Sequence, residues 1–276
     1  RIRRPPHSTR LPVRALFRSG GVLSPLLAAA LLGVVSFHAL FVGTALGFLC
    51  SAALVLSVPL PSPQTPPRHG VLARTTRGIR LYLATPRLRG LLAIDMAVAA
   101  AASIVLVNTV VYVQGLFGLD QSATALALAC FGAGSVLASL GLPRVLERMP
   151  DRTVMLGGAC VLCVGACLAN WVPNYGWLLP LWGVLGVGYS VALTPSGRLL
   201  RRSGTPEDRP ALFAAQFSLS HLCWLLAYPV AGRMGAAFGL PAAALGLGLL
   251  AAIATGVACL IWPSHDEGTT TLPTRL

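Results

Sequence analysis

Long apolar stretches alternate with short arginine-bearing ones along the whole chain. Residues 21–60 are apolar apart from polar punctuation around Ser36 and His38. A helix-breaking run follows, Pro61-Ser62-Pro63-Gln64-Thr65-Pro66-Pro67, and then a polar segment to Gly90 with Arg68, Arg74, Arg77, Arg80, Arg87 and Arg89. A hydrocarbon layer about 30 Å thick takes about 20 helical residues, so 21–60 holds enough chain for two crossings. Arginine loops tend to stay on the cytoplasmic side, which makes the number of crossings between successive arginine loops even. The rule predicts spans at 21–35 and 39–60. Applied onward to the arginines at 144–152, at 198–209 and at 275, it predicts spans at 91–113, 122–142, 153–169, 177–194, 210–231 and 240–262.

The pattern therefore predicts an all-α integral membrane protein with eight transmembrane helices and both ends cytoplasmic. Its expected parts are a basic loop at 1–20, two helices in 21–60, a central cytoplasmic loop at 61–90, six helices in 91–262 and a polar tail at 263–276. Arg1, Arg3, Arg4, Arg10, Arg14 and Arg18 read as an internal loop of a longer chain rather than as a secretory signal. Residues 71–83 mix Leu72, Ile79, Leu81 and Leu83 with Arg74, Arg77 and Arg80, which predicts a short helix lying at the membrane surface. On this layout Arg233 is the one arginine outside the cytoplasmic side, and Trp171, Tyr175 and Trp177 gather at an outer turn, where interfacial aromatics belong.

Composition agrees with the pattern. Hydrophobic residues make up 55% and charged ones 11%, with a mean hydropathy of +0.74, against about 25% charged in ordinary soluble domains. A net charge of +13 would suggest nucleic acid in a soluble protein. Here the charge sits between apolar blocks, so it reads as topology, and the partner is the lipid bilayer. All 21 basic residues are arginine; with the abundance of Ala, Gly and Pro, this points to a GC-rich bacterial genome and to the bacterial inner membrane. Cys50, Cys130, Cys160, Cys163, Cys167, Cys223 and Cys259 all fall in apolar segments, so no disulfide framework is expected. Cys160, Cys163 and Cys167 share a helical face with no histidine or acid nearby. That reads as packing rather than zinc, and neither metal nor cofactor is expected.

Ionisable and amide groups inside a bilayer are costly and mark cavities or partner helices. Asp95, near the start of its span, is placed to pair with Arg89 or to carry a proton, and lies about 140° around the helix from Asn108. Asn108 and Tyr112 stack on one side. His221 lies midway between Arg209 and Arg233, with Ser218 and Tyr228 on its face, and its charge can change near neutral pH. Gln216, Ser220 and Cys223 make a second polar stripe on the same span. Trp182, Gly186 and Tyr189 align on another span, and Gly134 with Ala138 and Ser135 with Ser139 have the spacing of tight helix contacts.

Two spans, a long basic loop and six more spans resemble the major facilitator superfamily with its first four helices missing. In that family two six-helix bundles are joined by a long cytoplasmic loop. The fifth helix of its drug/proton antiporters carries a GxxxGPxxGG motif, and the first span here has Gly20, Ser24, Pro25, Ala28 and Ala29 at those positions, small residues standing for three of the glycines. The family's GxLADRxGRR loop is echoed by Pro143-Arg144-Val145-Leu146-Glu147-Arg148-Met149-Pro150-Asp151-Arg152, in which prolines replace both glycines. The resemblance implies a partial major-facilitator fold, with two helices of the N-terminal bundle and a six-helix C-terminal bundle. It implies a monomeric secondary active transporter of a small organic solute in the plasma membrane, working by alternating access and proton-coupled efflux. Residues implied to line the substrate pathway are Asn108, Tyr112, Trp182, Tyr189, Gln216, His221 and Tyr228. His221 and Asp95 are the proton-coupling candidates, and Glu147, Arg148 and Arg152 form an expected cytoplasmic charge latch. The absence of strongly charged clusters favours a largely apolar solute. Lacking most of one bundle, the 276-residue chain alone is not expected to transport. Two other readings remain: an intramembrane enzyme using His221 and Cys223, about 200° apart on one helix, and a non-transporting sensor or decayed transporter fragment.

Overall fold

A computed structural model of the chain describes residues 37–57 and 71–263, all in helices and short connections. Helix α1 spans Phe37–Ser57, α2 Val71–Ala84 and α3 Pro86–Val110, with α3 continuing as a π-helix over Val111–Leu116. After a turn come α4 (Gln121–Arg148), α5 (Asp151–Leu168), α6 (Tyr175–Leu193), the short α7 (Ser196–Arg202) and α8 (Arg209–Ile261). Among the described residues five helices are long and apolar enough to cross a membrane, and this is a multi-pass membrane protein. A helix satisfies its own backbone groups, which lipid cannot do.

The last two predicted spans form one element of 53 residues. Straight, it would reach about 80 Å, far beyond a hydrocarbon core of about 30 Å. It is not straight: Gly239 has φ 81° and ψ 167°, a backbone conformation open to glycine and not helical. Contacts at the two ends define a hairpin. Asp208, just before α8, pairs with Arg77, and Trp262, just after it, packs on Gly90 at the start of α3. Gly235, near the break, lies against Asn108 far along α3. Residues 209–238 and 240–261 are thus two antiparallel arms. The pairs of spans expected from 91 onward correspond to α3 and α4, α5 and α6, and these two arms. Of the pair expected in 21–60, α1 covers part of the second, whereas the first, with the motif at Gly20, Ser24, Pro25, Ala28 and Ala29, lies outside the described residues.

Polar groups fix the helix starts. Proline opens α3 and α8, where its missing N–H costs nothing. Asp120 caps α4, accepting from the Ala123 N–H at 3.0 Å and the Ser122 hydroxyl at 2.7 Å, and these bonds hold its carboxyl below the usual aspartate range. Asn174 caps α6 through the Trp177 N–H at 3.2 Å. At that end Trp171 and Trp177 project outward, whereas Tyr175 turns in to donate to the Ala123 carbonyl at 2.8 Å.

The bundle is arranged around α3. This helix packs against both arms of α8 and against α5; α5 also packs on α6, and α6 on α4. Ala97, Val98, Ala99, Ala100, Ala101 and Ala102 are all buried, so this stretch of α3 is enclosed on every side. The short side chains make this possible by letting neighbouring helices close in. Large apolar residues such as Leu137, Phe217, Leu225, Leu249 and Leu260 face out of the bundle. Helix α1 is exposed wherever its side chains are described.

Backbone touches backbone where side chains vanish. A Cβ at Gly134 of α4 would land on the carbonyl oxygen of Gly183, and one at Gly186 of α6 on that of Phe131. One at Gly158 of α5 would come within 2.5 Å of the Ala192 backbone nitrogen. By contrast, a Cβ at Gly157 meets nothing within 4 Å. Replacing Gly186 with alanine should therefore cost about 1–3 kcal/mol through overpacking, whereas Gly157→Ala should be neutral or slightly stabilising; thermal unfolding in detergent distinguishes them, and equal melting shifts would contradict the close crossing.

Candidate functional site

Two polar clusters lie inside the bundle and a third at its arginine-rich end. The first is built on Asp95, nine residues beyond Pro86 and so about 14 Å along α3. Its side chain is 5% exposed. The expected pairing with Arg89 is not seen: Arg89 is exposed, since six residues of helix turn it about 120° away from Asp95. The partner is Gln216 on the first arm of α8, whose Nε2 donates to Asp95 Oδ2 at 2.8 Å. Gln216 Oε1 in turn accepts from the Tyr82 hydroxyl at 2.5 Å. Among the described residues no arginine or histidine forms an ion pair with Asp95.

Tyr82 is the residue that sequence reasoning missed. It sits on α2, outside the spans, yet is completely buried. Burial, with the Asp95 carboxylate behind it, pushes its hydroxyl well above the ordinary tyrosine range and keeps it a donor. Its position was open to notice: Gly78 and Tyr82 are four apart on the inward face of a helix otherwise studded with arginines. Gly78 lets that face close in, since a Cβ there would overlap the Ala211 carbonyl oxygen of α8.

The second cluster occupies the far half of α3. Trp182 is fully buried and donates through Nε1 to Thr109 Oγ1 at 2.7 Å. Its ring meets Tyr112 edge-on at 5.6 Å, and the Tyr112 hydroxyl donates to the Ala169 carbonyl at 2.9 Å. Asn108 is buried against Gly235, with no hydrogen-bond partner for its Nδ2 among the described residues. Tyr112 begins its contacts within the π-helical stretch, a distortion frequent at functional points of helices.

The other pathway candidates lie apart. Tyr189 is half-buried, with its ring edge-on to Phe131 at 5.5 Å. His221 is on the outward face of the first α8 arm. Its Nδ1 lies 2.7 Å from the Phe217 carbonyl one turn back, and its ring lies against Phe217 at 4.0 Å. Tyr228, 40% exposed, lies against Trp224 at 5.1 Å. Cys223 is buried beside Ala99 and Ala227, so it and His221 face different surroundings.

At the arginine-rich end, Asp151 opens α5 and receives Arg198 through Nε at 3.1 Å and through Nη2, with Arg202 Nη1 at 3.4 Å. Its carboxylate also lies at a helix N-terminus, which favours negative charge. Arg152 points elsewhere, donating to the carbonyls of Cys259 at 3.0 Å and Trp262 at 3.1 Å, where α8 ends. Arg87 likewise donates to the Arg202 carbonyl at 2.8 Å, at the end of α7. Glu147 and Arg148 are exposed. The acid in this cluster is Asp151, recognisable in sequence only by its place directly after Pro150 at a helix start.

No curated protein matches the sequence. The family model described as Major Facilitator Superfamily matches residues 91–276, about two-thirds of the chain, and the chain therefore belongs to that superfamily.

Proposed function

We propose that this chain forms part of a secondary transporter that exports a small, largely apolar organic solute against inward proton flow, with the arginine-rich end in the cytoplasm. Membership of the superfamily supports a membrane transporter in general. One observation carries the proton coupling: the Asp95 carboxyl is buried where α3 meets the first arm of α8, held by a neutral amide. A carboxyl so placed can hold a proton between two helices, and alternating access requires helices to change their contacts. Of the two proton-coupling candidates, Asp95 is favoured over His221, whose ring nitrogen is bonded within its own helix on an outward face. The same burial disfavours the reading as an enzyme, because His221 and Cys223 do not converge.

The aromatic and amide groups of the second cluster suit an apolar solute with one hydrogen-bond acceptor. Asn108 Nδ2 is a buried donor left unused, one turn of α3 before Tyr112, whose ring meets that of Trp182. The Asp151–Arg198–Arg202 cluster, with Arg152 on the end of α8, is the charge latch of this bundle. It joins α5 to α7 and α8 at the end that must open toward the cytoplasm.

Two measurements test this. In inside-out membrane vesicles carrying the complete transporter of which this chain forms part, solute-stimulated proton release across a panel of lipophilic dyes should fall at least about fivefold in Asp95→Asn, a modest coupling loss for linked sites, while solute exchange without a proton gradient persists. His221→Ala should retain most of the proton-linked flux; unaltered flux in Asp95→Asn would sink the assignment. For the latch, Arg198→Ala leaves a buried carboxylate short of its main partner and should lower stability by about 1–3 kcal/mol, whereas the more exposed Arg202→Ala should cost less than about 1 kcal/mol, as read by thermal unfolding.

A further inference from the structure

The chain Tyr82–Gln216–Asp95 has a direction, and the direction depends on one proton. An ionised Asp95 can only accept, so Gln216 must turn its Nε2 toward it, which leaves Oε1 for the Tyr82 hydroxyl. A protonated Asp95 can still accept from Gln216 Nε2 through its carbonyl oxygen, but that bond loses its charge assistance, and the acid's new O–H finds in the chain the acceptor Gln216 Oε1, already taken by Tyr82. If the amide turns to accept from Asp95, it presents Nε2 to Tyr82. The tyrosine oxygen can accept that bond, but its own proton is then left without a partner in a fully buried place, an arrangement proteins avoid.

The groups facing Asp95 leave this logic undisturbed. From α2 the facing group is Tyr82, from α8 Gln216 and Cys223, and from α6 Tyr189, which lies within electrostatic reach. All are uncharged near neutral pH. On α3 itself, Arg89 is exposed and turned away.

Tyr82 also carries mechanical weight. Helix α2 lies across the start of α8, with Gly78 against Ala211 and Arg77 paired to Asp208 at 2.7 Å. That ion pair is largely exposed on the arginine side, and such pairs hold weakly. Tyr82 is the polar anchor of α2 that reaches the bundle interior. We propose that α2 is a proton-linked latch: Tyr82, acting through Gln216, seats this short helix on α3 and α8 while Asp95 is ionised, and the seat loosens when Asp95 takes a proton. Tyr82 and Gln216 are then positioning residues for Asp95, and the state of the carboxyl is signalled to the segment that leads into α3. The inference rests on the reading of Asp95 as a proton site, but it concerns α2 rather than solute flux.

Hydrogen exchange of backbone amides 71–84, measured by mass spectrometry on the full chain in lipid nanodiscs and corrected for intrinsic exchange, tests it. In the unaltered protein exchange of this segment should quicken by about tenfold from alkaline to acid pH, the factor that one unmade buried hydrogen bond carries. Asp95→Asn and Tyr82→Phe should each give fast exchange at every pH, and the double variant should be no faster than either single one, as expected of residues in one network. Arg77→Ala, which cuts the exposed ion pair, should quicken exchange yet keep its pH dependence. PH dependence that survives Asp95→Asn, or additive effects of Tyr82→Phe and Asp95→Asn, would overturn the latch. Because solute-linked proton release is scored separately, loss of flux in Asp95→Asn with unresponsive α2 exchange overturns the latch alone, and a responsive α2 with intact flux overturns the coupling role while upholding the latch.

Discussion

Helices in hydrocarbon gain little from hiding apolar surface from one another, because lipid tails are as apolar as leucine. Close contact is what holds them, and close contact requires that something be missing. In this protein the missing parts are side chains. At Gly134, Gly186 and Gly158 the backbones of α4, α5 and α6 meet without a Cβ between them, and the alanine run of α3 lets α5 and both arms of α8 close around it. Every other feature depends on that tightness, including the burial of the polar groups along α3.

A tightly enclosed helix turns each of its polar side chains into a decision about partners. Asp95 meets an amide rather than a guanidinium, Thr109 meets the Trp182 indole, and Asn108 meets a glycine. Of these, the Asp95 contact joins elements far apart in sequence and ends on a helix outside the spans. Charged pairs, by contrast, gather at the arginine-rich end, where Asp151, Arg152 and Arg198 tie helix termini together. An interior amide and the terminal arginines thus divide the labour: the first holds the Asp95 carboxyl within the bundle, and the second tie helix ends together.

The linear pattern of apolar blocks and arginines was sufficient to locate the long apolar helices from α3 onward but not the short α7, which falls within an arginine stretch, because span length follows bilayer thickness and arginine placement follows topology. The short helix at Val71–Ala84 could be anticipated from its mixed arginines and leucines. Site residues were legible only as candidates. Gln216 and Asp95 were both visible as polar residues in apolar spans, but they are 121 positions apart, and nothing in either span states that they meet. Tyr82 was overlooked because an aromatic residue in a basic loop is ordinary, and the charge cluster was read around Glu147 rather than Asp151.

The sequence by itself determined a membrane protein of arginine-punctuated apolar helices, since those properties are sums over local stretches and survive any arrangement of them. Which faces look inward is a different kind of fact. It depends on which helices close on α3 and from what angle, and that is settled only when small residues dispersed along the chain come into register. Tertiary structure alone gave Asp95 its partner Gln216 and brought Tyr82 in from the loop to complete the chain.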